Sequence, residues 1–218
     1  MYNIAIDGPA GAGKSTIAQI VAKDLGYIYV DTGAMYRTLA LACFRDGIDT
    51  TDETAVVDKC ESVEVTLGYE DGIQKVFLNG EDVSDEIRRE EIGNLTSAIA
   101  VYPGVRKILV ALQQDLARKN NVVMDGRDIG TAVLPNADLK VYLTASVECR
   151  AKRRYDQLLE NGQSGDLAEI EKDIEDRDYR DMNRDVSPLK QAEDAVLVDS
   201  SDMTIDETVQ KIVSLTKE

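Results

Sequence analysis

The chain has 218 residues, 43% of them hydrophobic and 30% charged, and its 41 acidic against 25 basic side chains leave a formal charge of −16. That length suits one globular domain with room for a small subdomain, and so acidic a surface repels nucleic acid and anionic membrane, which argues against either as a partner. Histidine is absent, which excludes a Ser-His-Asp triad, a histidine-ligated metal centre and a histidine proton relay.

In chain order, Tyr2 to Asp7 reads as a short strand, followed by the glycine-rich run Gly8 to Gly13. A helix is predicted from Lys14, with Ile17, Ile20, Val21 and Leu25 at helical spacing, and Gly26 ends it. Tyr27 to Val30 is a second strand, Asp31-Thr32-Gly33 a loop, and Ala34 to about Arg45 a helix. This strand–loop–helix alternation predicts an α/β fold with a central parallel sheet flanked by helices. Val63 to Leu67 and Lys75 to Leu78 alternate instead like antiparallel strands, with the turn pair Asn79-Gly80 after them. The α/β rhythm resumes with a helix over 104–119, strands at 122–125 and 139–143, and polar helices at about 146–161 and 167–182. A strand at 195–199 and a helix at about 205–216 close the chain.

Cys43, Cys60 and Cys149 lie far apart without a CxxC pair, and are expected to be buried, reduced thiols of a cytoplasmic protein. Met1 to Asp7 lacks the apolar stretch of a signal peptide, and no run approaches the roughly 20 residues of a membrane span. A soluble protein is the expectation, with a monomer as the default.

Four segments carry chemistry. Gly8-Pro9-Ala10-Gly11-Ala12-Gly13-Lys14-Ser15, continued by Thr16, matches G-x-x-x-x-G-K-[ST]. Its glycines let backbone N–H groups curl around a polyphosphate, and the following helix aims its positive end at the same anion. Lys14 would hold the β and γ phosphates of a bound nucleotide, and the Ser15 hydroxyl would bind Mg²⁺; the loop alone leaves a kinase, a GTPase, an ATPase motor or a nucleotide sensor open. Asp31 to Arg37 sits at the carboxyl end of a strand, where open α/β sheets bind ligands, and Arg37 can fork onto a phosphate. In Asp125-Gly126-Arg127-Asp128-Ile129-Gly130-Thr131, Asp125 closes an apolar run, a second candidate for touching Mg²⁺ or its waters. Arg177, Asp181 and Arg184 stand at i, i+4 and i+7, which predicts one shared helical face. Arg150, Arg153 and Arg154 gather on the preceding helix, and phosphoryl transfer would use such charge. No Asn-Lys-x-Asp guanine-reading segment is present, so a GTPase-like switch is disfavoured.

Together, the phosphate loop, Asp-Thr-Gly-Ala-Met-Tyr-Arg, Asp-Gly-Arg-Asp-Ile-Gly-Thr and Arg-Asp-x-x-Arg-Asp-x-Asn-Arg resemble the bacterial-type cytidylate kinases, in their order and spacing, over essentially the whole chain. The resemblance implies a P-loop kinase that uses ATP and Mg²⁺ to phosphorylate CMP or dCMP. It implies a single domain over 1–218, with a core of about 1–59, 99–150 and 185–218. The insert at about 60–98 would bind the nucleoside monophosphate, and about 151–184 would be the lid. By position it assigns Thr32 and Asp181 to the acceptor's sugar. Ser97, Arg106 and Asp128 fall to cytosine, and Arg37, Arg127, Arg177 and Arg184 to the acceptor phosphate or transferring group. Tyr36 falls among the substrate contacts. A kinase of the same fold acting on another nucleoside monophosphate or a small metabolite is the alternative.

Overall fold

The computed structural model describes residues 1–70, 73–160 and 162–216. In chain order it contains β1 (Asn3–Asp7), α1 (Lys14–Leu25), β2 (Ile28–Asp31), α2 (Thr32–Arg45), α3 (Glu53–Glu61), β3 (Val65–Glu70), β4 (Ile73–Leu78) and β5 (Glu81–Asp82). These are followed by α4 (Glu90–Ile99), α5 (Pro103–Lys119), β6 (Val122–Gly126), β7 (Leu139–Thr144), α6 (Val147–Glu160), α7 (Leu167–Asn183), β8 (Val196–Asp199) and α8 (Ile205–Leu215). The chain divides into two compact units, one of Met1–Tyr29 with Asn121–Glu218, the other Val30–Asn120.

In the first unit the sheet order is β2-β6-β1-β7-β8, with β1 parallel to both β6 and β7, and β7 parallel to β8. Only the opening residues of β2 belong to this unit. Ile4 and Ile6 of β1, Val123 of β6 and Val141 and Leu143 of β7 are buried with Ile17 and Val21 of α1. Consecutive apolar residues suit strands covered on both faces. β1 is central, and the chain crosses to opposite sides of it, which makes its carboxyl end a topological switch point. Gly26 caps α1 in the left-handed conformation, its N–H bonded to the Ala22 and Lys23 carbonyls. α8 opens with a reciprocal Thr204–Glu207 capping box.

In the second unit, α2 packs against α3, α4, α5 and β4. β3, β4 and β5 form the expected antiparallel sheet, and Asn79 and Gly80, with φ of 51° and 83°, turn β4 into β5. The insert anticipated at 60–98 therefore lies within a wider compact unit, because α2, which precedes it, packs with its strands β3 and β4 and its helix α4, while α5, which follows it, packs with α2 and α3.

Several local expectations change. Thr32 and Gly33 are not a loop but the first turn of α2, because the Asp31 carboxylate accepts the Ala34 N–H and caps the helix there. α3 and α4 were not anticipated, since each buries only two side chains, Val56 with Cys60 and Ile92 with Ile99. The expected helix end at Asn161 lies outside the described residues. Cys43 and Cys60 are buried, but Cys149 is half-exposed, with its thiol 3.6 Å from the Ser201 carbonyl. Among the described residues, no single helix is long and apolar enough to cross a membrane.

Candidate functional site

The phosphate loop joins β1 to α1. Gly8, Gly11 and Gly13 all have positive φ, 153°, 75° and 82°, which a side chain adopts only under strain. Gly8 also passes so near β7 that a Cβ there would stand 1.9 Å from the Leu143 carbonyl oxygen. Lys14 is buried, and its ammonium donates to the Pro9 carbonyl at 2.7 Å. Burial, with the guanidinium groups of Arg127 and Arg177 adding to it, pushes that ammonium well below the ordinary lysine range. An added polyanion would reverse the effect. The N–H of Ala10 points not into the loop but at Asp178 Oδ1, 3.2 Å away.

The Ser15 hydroxyl donates to Asp125 Oδ2 at 2.9 Å, and the buried Tyr29 hydroxyl donates to Asp125 Oδ1 at 2.9 Å. After β6 the chain makes a single π turn, Ile129–Val133. Such turns cluster at functional sites. Here Asp7 fixes it, accepting the N–H groups of Ile129 at 2.8 Å and Gly130 at 2.7 Å. Burial outweighs those two hydrogen bonds, and together with the neighbouring Asp128 raises the Asp7 carboxyl to about 6.

Arg127 Nε donates to Asp181 Oδ2 at 2.8 Å, and Arg184 Nη2 lies 3.7 Å from Asp128 Oδ1. Although burial pushes the Asp181 carboxyl up, Arg127, Arg177 and Arg184 hold it below the ordinary range. The expected common helical face is not found. α7 ends at Asn183, and Arg184 is extended, with φ −69° and ψ 144°. The reason is a tight return: the Leu189 N–H bonds the Asp181 carbonyl at 2.8 Å, and Arg184 Nε bonds the Ser187 carbonyl at 2.8 Å. Arg184 thus reaches Asp128 from beyond the helix. The arginine group on α6 is likewise not one set. Arg150 is buried against Asp178, Arg153 bonds the Ser200 carbonyl and hydroxyl, and Arg154 bonds Gln157 on an exposed face.

In the second unit, Thr32 is buried in the first turn of α2, and Tyr36 and Arg37 follow one turn on. Arg106 of α5 is buried and donates from Nη1 to the Tyr36 hydroxyl at 3.2 Å. Arg37 Nη2 lies 3.4 Å from Asp31 Oδ2, while its buried Nε meets no hydrogen-bond partner among the described residues. Gln74 of β4 accepts the Asp31 N–H at 2.9 Å. Ser97 is half-buried on α4.

Asp7, Tyr29 and Asp178 bond directly to the segments predicted from sequence without having been singled out there. A carboxylate ending an apolar strand directly before Gly8 was the available signal for Asp7. Nothing local distinguishes Tyr29 or Asp178, whose partners lie far away along the chain.

The cytidylate kinase family model matches residues 4–218. The chain belongs to the cytidylate kinase family. It is 49% identical over 215 residues to a cytidylate kinase of Lactobacillus johnsonii, covering 99% of this chain and 94% of that one. It is 50% identical over 212 residues to one of Lactobacillus gasseri, covering 97% and 92%. Among solved structures, a shikimate kinase from Bacteroides thetaiotaomicron superposes with a TM-score of 0.50 at 14% identity, covering 100% and 99%. That likeness concerns the fold alone. In this cytidylate kinase family chain, no group of three or more acidic or cysteine side chains is placed to hold a metal ion among the described residues. The adjacent oxygens of Ser15 and Asp125 nevertheless suit Mg²⁺, a hard cation commonly held by one or two protein oxygens, substrate phosphates and water.

Proposed function

We propose that the chain is a cytidylate kinase that transfers the γ-phosphoryl group of ATP to CMP or dCMP, giving CDP or dCDP and ADP. The observation that carries this reading is the family match across residues 4–218. The same match favours a cytosine acceptor over another nucleoside monophosphate or a metabolite.

Residues Gly8 to Thr16 would cradle the ATP phosphates, through backbone N–H groups other than that of Ala10, which is held by Asp178, with Lys14 on the β and γ groups. Mg²⁺, held through Ser15 and Asp125, would neutralise charge on the phosphate oxygens. The acceptor phosphate is already anionic, so its oxygen needs no general base, in keeping with a chain that has no histidine. Catalysis is then alignment and charge stabilisation by Lys14, Arg127, Arg177 and Arg184. Thr32 and Asp181 would contact the sugar. Ser97, Arg106 and Asp128 would read cytosine, with Tyr36 orienting Arg106. Arg37, whose buried Nε still has a donor to offer, would bind the acceptor phosphate. The acceptor-binding region about 60–98 and the lid about 151–184 complete the assignment. The protein is read as a cytoplasmic monomer of pyrimidine nucleotide metabolism with small-molecule substrates, and its charge of −16 disfavours nucleic acid or membrane partners.

The test is ADP formation from Mg-ATP with CMP, dCMP, UMP, AMP or no acceptor, and again with excess chelator. Turnover with CMP and dCMP that stops on chelation is expected. Turnover with a different acceptor alone would remove the base-reading roles, and acceptor-independent hydrolysis would remove the kinase reading.

A further inference from the structure

The middle of the phosphate loop is gripped from two helices. Asp178 of α7 accepts the Ala10 N–H on Oδ1 at 3.2 Å. Arg150 of α6 donates from Nη1 to the Ala10 carbonyl at 2.9 Å. The two side chains bond each other, Nη1 to Oδ2, at 2.6 Å, and Arg150 Nε is held by the Ala145 carbonyl at 2.9 Å. Both are buried. Gly11 lets the helices come close, since a Cβ there would stand 3.3 Å from Arg150 Cβ and 3.8 Å from Ile174 Cδ1. Both hydrogen-bonding groups of Ala10 are thereby engaged, and a backbone N–H given to a carboxylate is not given to a phosphate.

A buried ion pair adds little net stability compared with a well-packed apolar pair, so stability alone is a weak account of this one. What it does achieve is to fix the orientation of the peptides on both sides of Ala10, and with them the curl of the loop. We infer that Arg150 and Asp178 are positioning residues for the donor phosphates: a charged clamp, built from the two helices of the lid region, that holds the phosphate loop in its anion-binding shape. The inference rests on the proposed use of the loop to bind ATP. A loop held in shape before binding avoids the ordering cost that would otherwise weaken affinity.

The double replacement Arg150→Met with Asp178→Leu removes both the charges and the grip on Ala10 while keeping an unbranched side chain at the first position and a Cγ-branched one at the second, an apolar exchange of the kind that buried ion pairs tolerate. Dissociation constants are measured for a non-hydrolysable ATP analogue with Mg²⁺ and, separately, for CMP, alongside the melting temperature. The clamp predicts a folded protein with the ATP-analogue constant raised about tenfold or more and the CMP constant changed less than about twofold. An unchanged ATP-analogue constant in the folded double variant would reduce the pair to a packing element. If that variant does not fold, Asp178→Asn decides: it keeps an oxygen for Ala10 but loses the charge holding Arg150, and the same selective weakening is expected. Equal loss for both ligands would overturn the inference. Because analogue binding needs no acceptor, the clamp can fail while CMP phosphorylation stands, and CMP phosphorylation can fail while the clamp stands.

Discussion

Arg127 and Asp181 meet 2.8 Å apart, Nε to Oδ2, although 54 residues separate them. Three guanidinium groups hold the Asp181 carboxyl below its ordinary range against the effect of burial, so it stays an ionised acceptor throughout the neutral range. An acceptor held in this way suits a sugar hydroxyl, and a position built to bond a hydroxyl discriminates against substrates lacking it. Asp181→Asn should therefore raise KM for CMP roughly tenfold, about 1.4 kcal/mol, and leave dCMP nearly unaffected. Steady-state kinetics with both acceptors checks this, and parallel losses would remove the sugar-reading role.

Asp7 and Asp181 respond to pH in opposite senses. Asp7 titrates in the folded chain at about 6, above its ordinary value of 3.8. Its contribution is fully present below about pH 4 and is lost as pH rises through 6, by up to about 3 kcal/mol. Asp181 is depressed, so its contribution is present above the ordinary carboxylate range and is lost only as pH falls below it. Asp7→Asn isolates the first effect. Between pH 4 and 7.5, the unfolding free energy of the variant should gain on that of the parent by about 3 kcal/mol. A constant difference in urea titrations would show that Asp7 does not carry the shift.

What sequence reveals here is what chemistry demands of consecutive residues. The phosphate loop, the Asp125–Thr131 segment and the Arg177–Arg184 segment are legible because the chemistry expected of them places particular residue types close together in sequence. Pairings created by the parallel register are not. Tyr29 reaches Asp125 across 96 residues because β2 lies beside β6, and Asp7 reaches Ile129 across 122 because β1 and β6 align Asp7 with Gly126. Arg184 was misplaced by extending a helical period one residue past the helix end, where Ser187, with φ 48°, and Pro188 turn the chain back. α3 and α4 are short and bury too few side chains to show a period.

The close approach of Gly8 to β7 separates two costs that glycine can relieve. Gly8→Ala combines positive φ with a Cβ 1.9 Å from the backbone oxygen of Leu143, which cannot move without shifting a central strand. A destabilisation on the order of 3–5 kcal/mol is expected. Gly26→Ala, at φ 68° but with nothing within 4 Å of the added carbon, should cost only about 1–2 kcal/mol. Equal unfolding midpoints for the two variants would show that the contact with β7 is not limiting.

Arg184 tests the charge-stabilisation step. Its Nε is committed to the Ser187 carbonyl, which fixes the guanidinium with Nη2 3.7 Å from Asp128 Oδ1. Fixed charge of this kind contributes most where negative charge is redistributed in the transition state, and least to ground-state binding. Arg184→Ala should lower kcat about 100-fold with small changes in KM, and Arg184→Lys should recover part of the loss by restoring charge without the planar fork. Asp128→Ala provides the contrast: it should raise KM for CMP while leaving KM for ATP near that of the parent. An Arg184→Ala enzyme with normal kcat and only a raised KM would move Arg184 from the transferring group to acceptor binding.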